Sequence, residues 1–371
     1  MLLGAYKLLG QAALPFLRIA LARRARSGRD DANRIQERFG RSSTPRPQGP
    51  LIWFHAADYH KVRSLIPLVR LVSSHGVRCL ITTPSRSALK TAEAQAPDTT
   101  IVQYAPFDVG RCVERFLDTW KPDISITSGS EIWPITVAAC KKRNISQLIV
   151  SGSLSEKSSS FWGRWAKLSR GIFENLDRVM AQTGDDADKF RKLGCPSVVV
   201  TGDLRIDMPV PPPKENDGFA DFRKRCQDRP LWVAAYCCVD EIAVIAAAQR
   251  RLQETMKTSL CLLIPQRPYK SEKLRTLLQE EGLNTGIQSQ GDTLIESMNV
   301  FVLDEVETSL HAFALADTAF IGQSLNGKGG SSPVDAVMQQ CALVSGQDVF
   351  RQPDLYSHLY SASAAHFVSA A

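Results

Sequence analysis

Five short stretches of this 371-residue chain gather residue types that do chemistry. In IGQSLNGKGGSSPVDAV (321–337) a β-rich run gives way to a glycine-rich loop. Ser331-Ser332-Pro333 then opens a helix, with Ser332 as N-cap and Pro333 in the first turn. Backbone N–H groups, hydroxyls and Lys328 in such a loop would converge on an anion such as a nucleotide phosphate. The spacing, with Gly329 and Gly330 paired, is neither a P-loop nor G-x-G-x-x-G. A loop that uses glycine only for its turns reads the same way. HAADYHKV (55–62) puts His55, Asp58, His60 and Lys61 on a strand-to-helix turn, as acid–base groups or as solvated caps. SGSEIWP (128–134) sets Glu131 between a buried strand and a helix starting at Pro134. GDLRID (202–207) adds Arg205 and Asp207, and LIPQRP (263–268) adds Gln266 and Arg267.

All five stretches follow segments that read as β-strands. LIWFH (51–55), RCLITT (78–83), DISITS (123–128), QLIVSG (147–152), RVMAQT (178–183) and SVVVTG (197–202) are short, apolar and β-rich. Residues 60–74, 86–95, 109–119, 134–143 and 162–175 have helical length or spacing. After DMPVPPPKEND (207–217), a stiff proline-rich connection, the alternation resumes with PLWVAA, SLCLLIP, NVFVLD, TAFIGQ and CALVSG. Helices are expected near 240–254, 271–282, 307–315 and 334–340. Strands alternating with helices predict α/β domains built on mostly parallel sheets. The expected division is a helical segment over 1–41, a Rossmann-like domain over 51–206, a hinge over 207–217 and a second Rossmann-like domain over 218–371. Ligands are expected in a cleft at the strand C-termini.

The formal net charge of +7 is concentrated. Between Arg18 and Arg41 stand eight arginines against Asp30, Asp31 and Glu37, so the rest of the chain is nearly balanced and lacks the character of a nucleic-acid binder. Residues 1–22 carry Lys7, Gln11 and Arg18 within about 40° of one another on a helix, with apolar residues around most of the remaining circumference. The uncharged run inside is too short to span a bilayer. This is the pattern of a helix lying in a membrane interface, with Pro15 kinking it or ending its first half. A helix docked on the protein itself and a cleaved signal peptide are the alternatives. The nine cysteines include no C-x-x-C and read as reduced core residues.

In order along the chain, ERFGR (37–41), LIWFHAA, TPSRSALKTA, QYAPFDVGRCVERFL, SEIWP, SGSLSEKSS, AQTGDDADKFRKLG, VTGDLRIDMP, LIPQRP and LADTAFIGQSL with GG-x-x-P resemble the 3-deoxy-D-manno-octulosonic acid (Kdo) transferases of lipid A biosynthesis. The resemblance covers essentially the whole chain, and in the family helices follow beyond the position of Ala371. It implies a GT-B fold, with the lipid acceptor on the N-terminal domain and the donor CMP-Kdo on the C-terminal domain. It also implies metal-independent chemistry, no cofactor, and a peripheral place at the cytoplasmic face of the inner membrane.

Residue by residue, the family's general-base glutamate falls at Lys61, and the glycine before it at His60. The first glutamate of its Glu-x-Glu-Leu-Trp-Pro is Gly129, and the second is Glu131. An assisting lysine is Arg205. On the nucleotide side an arginine becomes Gln266, next to Arg267. Ser-Thr-His becomes Tyr236, Cys237 and Cys238. The His-Asn-Pro-x-Glu after the paired glycines becomes Ser331, Ser332, Pro333, Val334 and Asp335. Two readings follow. One is a divergent Kdo-type transferase of lipopolysaccharide biosynthesis acting on a lipid A precursor or another anionic glycolipid. It would use Asp58 or His60 as base, Glu131 and Arg205 near the reacting centre, and the 327–332 loop for phosphate. The other is a GT-B pseudoenzyme, a membrane-associated binding or regulatory partner of a complete transferase.

Overall fold

Runs such as LIWFH and QLIVSG are buried along nearly their whole length, as central strands of a parallel sheet must be when helices cover both faces. The computed structural model describes residues 2–26, 30–208, 217–305 and 311–369. The chain divides into two units, Met1–Pro209 and Val210–Ala371, with the boundary inside the proline-rich run. Residues 209–216 of the expected connection and 307–310 of the helix expected over 307–315 lie outside the described residues.

The N-terminal unit holds a seven-stranded sheet of β1 (Leu51–His55), β2 (Arg78–Thr83), β3 (Ile101–Tyr104), β4 (Ile124–Ser128), β5 (Ser146–Gly152), β6 (Arg178–Ala181) and β7 (Val198–Val200). The spatial order is β3-β2-β1-β4-β5-β6-β7 and every pairing is parallel. Successive strand residues point to opposite faces. Phe54 therefore packs with Val62, Ile66 and Ile81 under helices Tyr59–Ser74 and Arg86–Gln95. Its neighbour Trp53 packs with Phe116, Leu117 and Ile135 under helices Gly110–Trp120 and Pro134–Lys142. Chain order reverses at β1 and β4, a switch point at which the loops after adjacent strands diverge and leave room for a ligand.

The C-terminal unit repeats the plan. Its sheet comprises β8 (Leu231–Cys237), β9 (Leu260–Pro265), β10 (Thr285–Ile287), β11 (Val300–Val302), β12 (Thr318–Ile321), β13 (Ala342–Ser345) and β14 (Ala365–Phe367). The order is β10-β11-β9-β8-β12-β13-β14, again all parallel, with its switch point between β8 and β12. All nine cysteines are buried and none is disulfide-bonded.

Several expected boundaries are corrected. The stretch 162–175 is the end of one helix, Glu156–Arg164, and a second, Ala166–Phe173. Strands β3, β10 and β14 and helices Gly184–Leu193 and Pro353–Ser361 were not anticipated. The first helix, Leu2–Arg26, continues through Pro15 rather than ending there. It docks through Leu14 and Leu21 on Phe39, Val109 and Cys112. A second row, Leu8, Leu9, Phe16 and Ile19, is left exposed, Leu8 and Phe16 each at 74%. Among the described residues no helix is long and apolar enough to cross a membrane.

Part of the arginine cluster that follows is internal wiring. Arg38 is buried and donates to Asp30 at 2.6 Å and to the carbonyl of Pro84 at 2.8 Å, while Arg24 reaches Asp30 at 2.5 Å. Arg34 pairs with Glu37 at 2.8 Å and also with Glu93. Five arginines of the cluster are exposed where the fold describes them: Arg18, Arg23, Arg24, Arg26 and Arg41.

The loop after β13 demands one glycine absolutely. A Cβ on Gly346, just past β13, would stand 1.9 Å from the Ser324 carbonyl oxygen and 2.5 Å from its carbon. Backbone cannot withdraw as a flexible side chain can. Gly346→Ala is expected to destabilise the C-terminal unit by about 3 kcal/mol or more, read as a lower unfolding midpoint followed through Trp232 fluorescence. A variant with the wild-type midpoint would contradict this packing.

Candidate functional site

At the N-terminal switch point the last residue of β1, His55, meets the loop after β4. His55 Nε2 lies 3.0 Å from Glu131 Oε2, and His55 Nδ1 lies 2.9 Å from the hydroxyl of Thr82 on β2. The indole N–H of Trp53 donates to the same hydroxyl at 2.8 Å. An indole can only donate, so it takes one lone pair of Thr82 and leaves the hydroxyl proton for another acceptor. Two acceptors are in reach of that proton, Nδ1 at 2.9 Å and the Phe54 carbonyl at 3.4 Å; directed to the nearer, it leaves the ring proton on Nε2, donated to Glu131. His55 is buried and Glu131 is its outward, quarter-exposed end. Burial would raise the Glu131 carboxyl, but the hydrogen bond and electrostatic pull of His55, Lys61 and a hydrogen bond with Trp133 hold it below its ordinary value. The group is a fixed negative charge.

Lys61 faces the same loop. Gly129 has a φ of +84°, and a Cβ built on it would lie 2.8 Å from Lys61 Cε and 3.0 Å from Nζ. The lysine side chain therefore stretches across the position where residue 129 has none. Its ammonium is 3.9 Å from Asp58 Oδ2. Asp58 caps the helix Tyr59–Ser74, its Oδ1 accepting the Lys61 backbone N–H at 3.0 Å, and its side chain is half-exposed. His60 stands edge-on to Tyr59 at 5.4 Å. The structure thus joins His55, Asp58, Lys61 and Glu131 around one pair of loops.

Arg205 belongs to a different local group. It donates to Asp203 Oδ2 through Nε at 2.8 Å and Nη2 at 2.5 Å, while Asp203 Oδ1 accepts from Ser151 at 3.1 Å. Its short helical turn, Leu204–Asp207, which ends on the exposed Asp207, packs on the helix Tyr59–Ser74.

In the C-terminal unit the organiser is a residue not singled out from sequence, Gln323, buried just after β12 with a φ of +62°. Its Oε1 accepts from Gln266 at 3.1 Å and Arg351 at 3.3 Å. Its Nε2 donates to Ser331 Oγ at 2.5 Å. Asp335 accepts from the Tyr236 hydroxyl at 2.6 Å. Gln266, Ser331 and Asp335 are therefore fixed at the β8–β12 switch point, whereas exposed Arg267 donates to Tyr269 at 2.9 Å.

Three expectations about the loop are corrected. Lys328 does not point into a phosphate cradle: its ammonium pairs with Asp240 and lies 3.2 Å from Cys238 Sγ. Several N–H groups are already committed, Gly327 to Asp348 at 2.5 Å, Gly330 to the Gln323 carbonyl at 2.8 Å and Ser331 to the Gly322 carbonyl at 3.0 Å. The helix begins at Val334 with Pro333 at the cap, and Ser332 Oγ accepts the Val334 N–H at 3.4 Å. Gly329 and Gly330 have φ of +85° and +72°, and a Cβ on Gly329 would meet Phe350 and Arg351 at 2.7 Å. Turn conformation and close packing account for both glycines.

Residues 33–208 match the family model for 3-deoxy-D-manno-octulosonic-acid transferase (kdotransferase). A probable mitochondrial 3-deoxy-D-manno-octulosonic acid transferase of Arabidopsis thaliana is 25% identical over 96% of this chain and 81% of its own length. The corresponding enzymes of Haemophilus influenzae and Bordetella pertussis are 26% and 27% identical, over 88% and 98% of this chain and 78% and 87% of theirs. The chain is thus similar to Kdo transferases over most of its length. Its fold is also that of the MnaA–UDP structure of S. aureus, at a TM-score of 0.58 and 14% identity over 86% of this chain and 84% of that one. UDP-GlcNAc 2-epimerase of Neisseria meningitidis, bound to UDP-GlcNAc, gives 0.56 and 13% over 86% and 87%. At such identities the likeness speaks to fold alone: two Rossmann-like units of the GT-B class.

Proposed function

We propose that the chain is a Kdo-type glycosyltransferase that moves Kdo from CMP-Kdo to an anionic glycolipid such as a lipid A precursor. The His55–Glu131 pair at the N-terminal switch point carries this reading. Transfer from a nucleotide sugar passes through a transition state in which the sugar ring gathers positive charge, so a carboxylate held anionic at the reacting centre stabilises that state more than the ground state. Glu131 is that carboxylate. Asp58 or His60, on the first turn of the neighbouring helix, takes the proton of the acceptor hydroxyl, and Arg205 offers positive charge to the departing phosphate. Gln266, Arg267, Ser331, Ser332 and Asp335, with the Gly329–Gly330 turn, form the donor side, and no metal is required.

The exposed row Leu8, Leu9, Phe16 and Ile19 and the exposed Arg18, Arg23 and Arg26 support a peripheral location at the cytoplasmic face of the inner membrane. The full chain is expected to float with anionic liposomes, and a Leu8→Ser/Phe16→Ser variant to remain in the soluble fraction. Equal flotation of both would remove the membrane assignment.

A second reading, a membrane-associated pseudoenzyme that binds donor or acceptor and partners a complete transferase, is favoured by Lys61 in the base position. A protonated lysine beside Asp58 cannot accept a proton. Calorimetric titration with CMP followed by transfer assays from CMP-Kdo to a lipid A precursor separates the two. Transfer supports the enzyme, binding without transfer supports the partner, and neither overturns both.

A further inference from the structure

Among the described residues Arg63, at 6% exposure, is one of two arginines that the fold buries almost completely, and the two are treated differently. Arg38 is met by a carboxylate and a carbonyl. Among the described residues Arg63 meets neither an acid nor a hydrogen-bond acceptor, and its Nη1 is sealed from solvent without a partner. The ring of Tyr59 lies 5.6 Å from its guanidinium carbon. A buried guanidinium without an anion or acceptor is costly, and folds do not retain one without compensation.

The Tyr59 contact says where the group points. Helix side chains lean toward the N-terminus, and Tyr59 is the first residue of the helix Tyr59–Ser74. The guanidinium is thus carried toward the positive, N-terminal end of a sixteen-residue helix dipole, the end that follows closely on the last residue of β1. Planar, permanently charged and forked, it matches the paired oxygens of a phosphate, as it does those of a carboxylate.

We propose that Arg63 is the receptor for a phosphate group carried by a ligand of the N-terminal unit, and that the missing counter-ion of this buried cation arrives with that ligand. The inference goes beyond the transferase reading, since it holds whether the chain turns a substrate over or only binds it.

The test uses the full chain, titrated calorimetrically with inorganic phosphate and with a soluble sugar phosphate, glucosamine 1-phosphate. Binding of the sugar phosphate alone identifies a headgroup, and binding of both identifies the anion itself. Either supports the proposal if Arg63→Met weakens it about tenfold or more while Arg63→Lys retains part of it. The methionine variant, relieved of an uncompensated charge, is expected to unfold at the same temperature as the ligand-free wild type or higher. It should also lose the rise in midpoint that phosphate gives the wild type. No binding of either anion by the wild type, or equal binding by wild type and both variants, overturns the proposal. If Arg63→Met fails to fold, equal binding by wild type and Arg63→Lys decides against it.

Discussion

Glu131→Gln is expected to lower transfer from CMP-Kdo by about 10²–10³-fold, the loss usually seen when one electrostatic contact to a transition state is removed. The amide has the shape of the carboxylate and still accepts from His55 Nε2 through its oxygen, so the 3.0 Å contact and the His55–Thr82 link survive. Only the charge goes. The loss should therefore appear in kcat with KM little changed, and the unfolding midpoint should stay near the wild-type value. Because the native carboxyl lies below its ordinary value, it remains ionised across the neutral range, and the acid limb of the rate profile should not belong to it. Asp58→Asn keeps a capping oxygen and serves as the comparison: it should lower rate only if Asp58 is the proton acceptor. Wild-type turnover in Glu131→Gln would detach this pair from catalysis.

The second large effect concerns stability. Asp30→Asn takes the carboxylate from Arg24 and leaves Arg38 buried with the Pro84 carbonyl as its remaining strong hydrogen-bond partner. Breaking a buried ion pair from one side costs about 3–5 kcal/mol, because the surviving charge is left uncompensated. Burial would raise the Asp30 carboxyl, but hydrogen bonds from Arg24 and Arg38 outweigh it and lower the native value. The sign of the pH dependence follows. A depressed acid contributes stability that is complete once the unfolded carboxyl has ionised, above about pH 4, and that is lost as pH falls through the native value. Urea unfolding of wild type and variant should differ widely at pH 7 and converge on acidification below that range. A constant gap at all pH values would show that Asp30 acts by shape rather than charge.

Much of the architecture was legible in the chain itself. Strands such as LIWFH and SLCLLIP announce themselves by apolar β-rich composition, and nearly every expected strand lies within two residues of its place. The omissions are the short strands. Thr285–Ile287 and Ala365–Phe367 are three residues each, too brief to show a period, and they exist because a neighbouring strand offers them hydrogen bonds. Helix Gly184–Leu193 carried a readable signal, Thr183 capping the Asp186 N–H at 3.1 Å, but its apolar face is only a few residues wide.

The site was legible one residue at a time and not as a constellation. His55, Lys61 and Glu131 stood out locally, yet Glu131 meets His55 across 76 positions of sequence, and Thr82 offered no local sign of its part. Gln323 was invisible for the same reason: its four contacts come from 236, 266, 331 and 351. Lys328 was misjudged because a loop cation looks available until the fold supplies its acid, here Asp240.

The lysine lying across Gly129 also constrains how this protein can change. Any side chain introduced at 129 meets the methylenes of residue 61 first, and meets a backbone twisted to a φ of +84° as well. The two positions are therefore coupled, and change at 129 carries the heavier cost: the far end of a flexible lysine can swing aside, but the φ of +84° strains any residue other than glycine. A laboratory selection for transfer activity that starts from this chain should recover changes at 61 ahead of any at 129.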